Sequence, residues 1–423
     1  MSGMVARIRG RMFAGVLVVA LASWGLGIAT AASGGAAGSV RGFDGSTITV
    51  GALAMKSQLP NAEAGARARL QRFNETNEVK GIKVDYKEFV DDKQDPAVAL
   101  SEARRLVSQV GIFALVGNVS AVNPTEYLEQ QHVPSFGGGF DSTYCTSKPS
   151  KAIWGFSPLG CTVPHEPSFV YDAMSGGYEY VSKKVAKAHP TMVVFASNTE
   201  LGKDGAQIVA AAAQGAGFKV TAVETKYELP VSDYSPYVDS ILVANHGSQP
   251  DVAYCAGGVE CINFNGLLKE RGFNGIFWHA MYSDLLVKAM AGTIVSIYAA
   301  NPNDDSKGLR QIKADMDAYM PGGSNKIDIG TIIGYTSTDM FVTALKKAAK
   351  QGKAGITPEN VRKVASTMTW KIDGLAGPVQ YPKSSVIGYP SCRSVMLSDG
   401  TKWNTVVPVG CSTKTFSPNL KLG

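Results

Sequence analysis

Histidine is scarce in this chain, with five among 423 residues, and no two stand in H-x3-H spacing; the six cysteines form no C-x2-C pair. A zinc site would need such clustered ligands, so no metal is expected. G-x-S-x-G, H-E-x-x-H and G-x-x-x-x-G-K-[ST] are also missing, which removes common signatures of a hydrolase elbow, a helical metalloprotease and a phosphate loop. Gly202-Lys203-Asp204-Gly205 has neither the spacing nor the hydroxyl residue of that loop. The serines, histidines and aspartates form no recognisable constellation. The expectation is a protein that is not an enzyme and carries no cofactor. Charge is sparse too: Asp, Glu, Lys and Arg make up 18% of the chain, for a formal net charge of +6. A charge so small and dispersed does not suit nucleic acid.

What is present points to export. Arg7, Arg9 and Arg11 precede an apolar run from Met12 to Ile28, and Ala29-Thr30-Ala31 has the small-x-small pattern that a signal peptidase accepts. Residues 1–31 therefore read as a signal peptide, which places the chain in the periplasm or at the cell surface. An uncleaved membrane anchor is the alternative, since the run approaches the roughly 20 residues of a bilayer span. Cleavage removes three arginines and no acids, leaving +3. No cysteine lies between Met1 and Val40, so the usual lipid-attachment site of a bacterial lipoprotein is missing. No later segment is long and apolar enough to span a membrane. In an exported chain six cysteines favour disulfides over thiol chemistry. The near-neighbour pairs are preferred: Cys145 with Cys161, Cys255 with Cys261, and Cys392 with Cys411.

A chain of this length, 45% hydrophobic, can bury two cores, because single cores stop growing near roughly 250 to 300 residues. After Gly45, short β-branched runs alternate with amphipathic helices. Thr47–Leu53 and Ile82–Phe89 read as strands around a helix at Asn61–Val79. Asp95-Pro96 opens the next helix with an N-cap residue and a proline in the first turn, and Val98, Ala99, Ala103, Leu106, Val107 and Val110 form its apolar stripe. A second series runs from a long helix over Ser168–His189 through strands at Thr191–Phe195, Phe218–Tyr227, Asp251–Cys255 and Ile276–Trp278. Helices at Lys203–Ala216, Tyr234–Asn245 and Ile262–Arg271 separate those strands. This alternation implies an α/β fold of two lobes with parallel sheets covered by helices. Helices at Lys307–Met320 and Thr331–Lys350, and another capped by Thr357-Pro358, suggest that the chain returns to the first lobe. An extended run at Pro378–Tyr381 and a hairpin across Arg393–Val409, turning at Ser398-Asp399-Gly400, complete it.

Between Gly111 and Asp141 the sequence gives strand Ile112–Val116, loop Gly117-Asn118-Val119-Ser120-Ala121, a short helix opened by Asn123-Pro124, and a second loop ending Gly137-Gly138-Gly139-Phe140-Asp141. Such loops at the carboxyl ends of parallel strands leave backbone N–H groups open to a ligand. These loops, with Ile48–Gln58, Met192–Gly205, Asp233-Tyr234-Ser235, Gln249–Val252, Gly334-Tyr335 and Gly374–Val379, resemble the type I periplasmic binding proteins of the leucine/isoleucine/valine-binding branch, which feed ABC importers. The match runs from about Ser46 to Val409. The resemblance implies two Rossmann-like lobes, 46–165 with 295–372 and 166–294 with 373–413, joined by a multi-strand hinge. It also implies a monomer that binds a small organic molecule between the lobes and meets a membrane permease.

The ligand contacts implied by that resemblance are Met55, Lys56, Asn118, Ser120, Gly138, Gly139, Phe140, Asp141, Leu201, Gly257, Gly258, Met281 and Tyr282. Ser120 stands where the family holds a ligand carboxylate, although capping the next helix is an equal role. Asp141 replaces a common threonine. Beside a ligand carboxylate at 4 Å it would cost about 4 kcal/mol at an effective dielectric of 20, so it either accepts from a hydroxyl or amine or caps the turn through Ser142 and Thr143. Met281 falls where the family places the acid that meets an α-ammonium, and a three-residue slip would offer Asp284 instead. Leu201 replaces an aromatic. Together with Met55, Phe140 and Tyr282 these positions imply a cleft more apolar than a free amino acid needs. Gly257-Gly258 would close over the ligand or form a turn restrained by Cys255 and Cys261. A membrane-tethered receptor of the same fold and, further off, a secreted hydrolase are the competing readings.

Overall fold

The computed structural model describes residues 40–164, 167–172, 174 and 176–423; the signal-peptide reading of residues 1–31 lies outside them. The first lobe begins with β1 (Thr47–Ala54), α1 (Ala62–Glu75), β2 (Lys83–Asp91), α2 (Pro96–Arg105), β3 (Ala114–Asn118), α3 (Thr125–Gln130), β4 (Ser135–Gly137) and β5 (Gly155–Phe156). These strands form a five-stranded parallel sheet in the order β2-β1-β3-β4-β5. Every residue of β3 is buried, as a central strand covered on both faces requires. The start of α2 forms as its sequence predicts, with the Asp95 carboxylate accepting from the N–H groups of Ala97 and Val98 at 2.7 and 3.1 Å.

The second lobe contains β6 (Val170–Tyr171), α4 (Gly177–Val185), β7 (Thr191–Ser197), α5 (Glu200–Gly215), β8 (Lys219–Tyr227), α6 (Ser235–Leu242), β9 (Val252–Cys255), α7 (Glu260–Glu270), β10 (Ile276–His279) and β11 (Ile294–Ile297). The helix expected over Ser168–His189 is shorter. Gly176 takes a left-handed φ of +99° immediately before α4, where only glycine is unstrained. Val170 and Tyr171 instead pair as a strand.

The chain then builds α8 (Lys307–Tyr319), α9 (Ile329–Ala348) and α10 (Pro358–Ala365) against the first lobe, followed by β12 (Thr369–Ile372) and β13 (Ala376–Gln380), which pair antiparallel. It finishes with β14 (Ser391–Ser398), β15 (Trp403–Ser412) and β16 (Thr415–Phe416). The second sheet reads β15-β14-β11-β10-β9-β7-β8, with β14 and β15 antiparallel to their neighbours. The final short strand β16 pairs with β6. The turn after β14 is fixed by Asp399, whose Oδ1 accepts from the N–H groups of Thr401 and Lys402 at 2.8 Å each.

Helices α1 and α9 cross at a reciprocal pair of glycines. A Cβ on Gly65 would lie 2.1 Å from the Thr331 carbonyl oxygen, and one on Gly334 would lie 1.9 Å from that of Ala62. Neither helix admits a side chain there. The close crossing ties the returning segment to the first lobe and aims Ile329 and Ile333 at the interlobe space. Disulfides join Cys145 to Cys161, Cys255 to Cys261 and Cys392 to Cys411, the pairs expected from proximity.

Candidate functional site

A cavity of about 310 Å3 lies between the two sheets, at the carboxyl ends of their parallel strands. From the first lobe it receives Met55, Gln58 and Leu59 after β1, Gln94 after β2, Phe140 after β4, and Leu159, Thr162 and Val163 after β5. The second lobe contributes Ser197 at the end of β7 and Thr199 just after it, Leu201, Gly202 and Ile208 on α5, Tyr254 on β9, and Met281 after β10. Tyr298 follows β11, and Arg393 enters from β14. Most of the wall is apolar. Among the described residues its two charged members are Glu260 and Arg393.

Of the residues the sequence put forward, Met55, Phe140, Leu201, Gly257, Gly258 and Met281 line this cavity. The other seven lie outside the lining. Lys56 turns away, with its ammonium 5.3 Å from the Phe89 ring centre. Asn118 is fully buried: its Oδ1 accepts from Leu53 N–H at 2.8 Å, and its Nδ2 reaches Asn123, Ser135 and Tyr144 at 2.8, 3.1 and 3.0 Å. Ser120, also buried, accepts from Val122 N–H at 3.1 Å. Gly138 and Gly139 pack within the same wall, where a Cβ on Gly139 would lie 2.4 Å from the Gly160 carbonyl oxygen. Tyr282 donates to Asp284 at 2.8 Å, so the acid reached by a three-residue slip is already engaged.

Asp141 follows the turn-capping alternative in its geometry. One carboxylate oxygen accepts from the backbone and side-chain N–H groups of Asn123 at 2.7 and 2.8 Å, and the other from Thr143 N–H at 3.0 Å. Burial pushes its pKa up to about 6 against the opposing pull of those donors.

The loop after β9 closes the second-lobe side. A Cβ on Gly257 would lie 2.5 Å from both the Tyr227 hydroxyl and Glu260 Oε1, and one on Gly258 would lie 1.9 Å from Gln58 Oε1. The absence of both side chains lets Val259 N–H donate across the cleft to Gln58 Oε1 at 3.0 Å. The Cys255–Cys261 bridge spans this same loop, so the ligand-facing and the restrained-turn readings describe one structure. Glu260 completes it by accepting from Tyr227 O–H and Gly258 N–H at 2.9 Å each.

Sequence reasoning missed Gln58, Glu260 and Arg393. Gln58 falls inside a segment used for the resemblance, but nothing local shows that a glutamine spans a cleft. Arg393 lies within a correctly expected hairpin, where alternation identifies a strand without showing what its outward face meets. Among the described residues no group of three or more His, Cys, Asp or Glu side chains could hold a metal. No helix there is long and apolar enough to cross a membrane.

Two α/β lobes with a mostly apolar cavity at their facing strand ends define a solute-binding protein. Residues 47–384 match the model of the periplasmic binding protein family, and the chain belongs to that family. Members are non-enzymatic, act outside the cytoplasm, take small-molecule ligands and in general serve ABC permeases. No curated protein matches the chain by sequence. Among solved structures, a branched-chain amino acid ABC transporter protein from Thermus thermophilus with bound valine is 16% identical at a TM-score of 0.67, covering 87% of this chain and 97% of its own. A solute-binding protein from R. palustris in complex with benzoate is 13% identical at 0.66, with coverage of 86% and 97%. A fatty acid ABC transporter substrate-binding protein from Thermomonospora curvata is 16% identical at 0.70, with coverage of 88% and 95%. At such identities the likeness is one of fold.

Proposed function

We propose that this protein is the exported, monomeric solute-binding component of an ABC importer, closing lobes 46–165 with 295–372 and 166–294 with 373–413 over one small organic molecule with a substantial apolar body. The observation that carries the reading is the apolar interlobe cavity bounded by Met55, Phe140, Leu201, Ile333 and Met281. Neighbours of the same fold whose names cite valine, benzoate and fatty acid support a cleft that accepts varied bodies. Binding works by population shift: contacts to both lobes favour the state in which they meet, and a permease then recognises that state.

Mass spectrometry of compounds released from the purified protein tests this reading directly. One compound per chain is expected, and adding it back should compact the protein in small-angle scattering. At 100 times its dissociation constant it should raise stability by about 2.7 kcal/mol. A saturating ligand that leaves the scattering radius unchanged would overturn the closure mechanism.

A further inference from the structure

We infer that Arg393 anchors the charged end of the ligand, and that the cargo is an organic monoanion with an apolar body and no ammonium group. This rests on the solute-binding reading above and narrows its ligand class. Arg393 is half-buried in the cavity wall, and among the described residues its guanidinium makes a single hydrogen bond, to the Cys392 carbonyl at 3.2 Å. A guanidinium has five N–H donors. Among the described residues no carboxylate forms an ion pair with it. The contrast with Arg69 is direct: that side chain, 2% exposed, meets Asp339 at 2.6 Å and Glu78 at 2.8 Å. A buried arginine in the first lobe is thus neutralised by protein, and the one in the cavity is not.

The surroundings of Arg393 favour an anion. Its titratable neighbours are Tyr178, Tyr254 and Tyr298, which are neutral near pH 7. Tyr178 donates to the Val209 carbonyl at 3.1 Å and Tyr298 pairs with Thr336 at 3.0 Å. The Tyr254 hydroxyl has no hydrogen-bond partner among the described residues and lines the cavity beside the guanidinium. Burial lowers the Arg393 pKa, but a guanidinium starts so high that it stays charged. A carboxylate meets its fork with two parallel hydrogen bonds.

Position is supplied by the strand. Arg393 stands opposite Gly410, one residue from the Cys392–Cys411 bridge, and the neighbouring Ser394 hydroxyl donates to the Ala299 carbonyl at 2.5 Å. Glu260, the acid among the described lining residues, is placed differently. Its Oε1 accepts from Tyr227 and Gly258, while its Oε2 has no hydrogen-bond partner among the described residues and less than 1 Å2 exposed. That oxygen is turned into the wall, so an ammonium in the cavity does not reach it in this state. The cavity volume of about 310 Å3 falls at the lower end of small-molecule sites, roughly 300 to 1,000 Å3, which leaves room for an apolar body beyond the anionic group.

The test compares matched probes by titration calorimetry at pH 7.5: 3-phenylpropanoate, 3-phenylpropanamide and phenylalanine, then octanoate and octanamide. The expected result is that at least one acid binds, with its amide and amino-acid counterparts at least about tenfold weaker. Arg393→Gln should weaken the acid roughly 10- to 100-fold, the range for a hydrogen bond to a charged group, and leave the amide unchanged. Arg393→Lys should fall between. Circular dichroism verifies folding, and should Arg393→Gln fail to fold, the wild-type comparison decides. Equal binding of acid and amide, preference for phenylalanine, or full acid affinity in folded Arg393→Gln would overturn the anion inference while leaving solute binding intact. A neutral or ammonium-bearing compound released from the purified protein would do the same. No released compound and no bound probe would overturn the solute-binding reading itself, and the inference with it.

Discussion

Asn118 and Arg393 are both polar residues on strands, yet the two walls of the cleft use them in opposite ways. Asn118 is 0% exposed and places four hydrogen bonds among first-lobe groups, linking β1, β4 and the turns that follow. Asp141 and Ser120 extend that network, again to backbone and side chains of the same wall. Among the described residues Arg393 makes one bond, to its own neighbour, and it faces the cavity. A saturated polar network rigidifies a wall, whereas a polar group left with open donors beside a cavity is available to a ligand. On the anion inference the first lobe supplies a preformed floor, and the second supplies the polar end of the proposed site.

The most severe way to test that contrast is Asn118→Ala. It strands a buried backbone N–H at Leu53 and removes partners from three further side chains, so unfolding in denaturant should show a loss of about 3 to 4 kcal/mol. Arg393→Gln should change stability far less. A similar loss in the two variants would erase the distinction between a structural and a binding wall.

Asp141 gives a pH signature on the first wall. Its folded pKa of about 6 lies above the ordinary value of 3.8, so the folded state holds its proton more tightly than the unfolded chain. That contribution to stability is full below about pH 3.8 and is lost as pH rises through about 6, with a total of about 3 kcal/mol. A carboxyl 13C titration should show a midpoint near 6. A midpoint near the ordinary value would mean that the Asn123 and Thr143 donors fully offset burial.

Much of the fold was legible because its signals are local. Asp95-Pro96 and Thr357-Pro358 predict helix starts by chemistry within four residues, and both caps form, the second with Thr357 accepting from Asn360 N–H at 3.1 Å. The helix expected from Ser168 was overextended because one left-handed glycine outweighed its apolar periodicity. The site was less legible. Small polar residues after a buried strand have the same sequence appearance whether their hydrogen bonds turn inward, as at Asn118, or towards a ligand. Gln58 and Val259 are brought together by lobe geometry across 201 positions, which no local pattern encodes.

Smaller effects sharpen the second wall. Gly257→Ala would place a methyl 2.5 Å from the Tyr227 hydroxyl and Glu260 Oε1, prying apart a buried hydrogen-bonded pair. A stability loss of about 2 kcal/mol is expected by thermal unfolding. An unchanged melting temperature would show that the loop relaxes around the added methyl.

The mildest change acts across the cleft. In Gln58→Ala, Val259 N–H loses its acceptor at 3.0 Å, but the site is exposed enough for water to replace it. The cost should be about 1 kcal/mol, read as roughly fivefold weaker ligand binding with little change in folding stability. Gly258→Ala should reproduce that loss by a different route, since its Cβ would occupy the place of Gln58 Oε1 and push the flexible side chain away. Because both substitutions remove the same bond, the double variant should be no weaker than either single one. Additive losses would mean that Gly258 contributes something beyond admitting Gln58, and would assign that part of the closure energy to the loop itself.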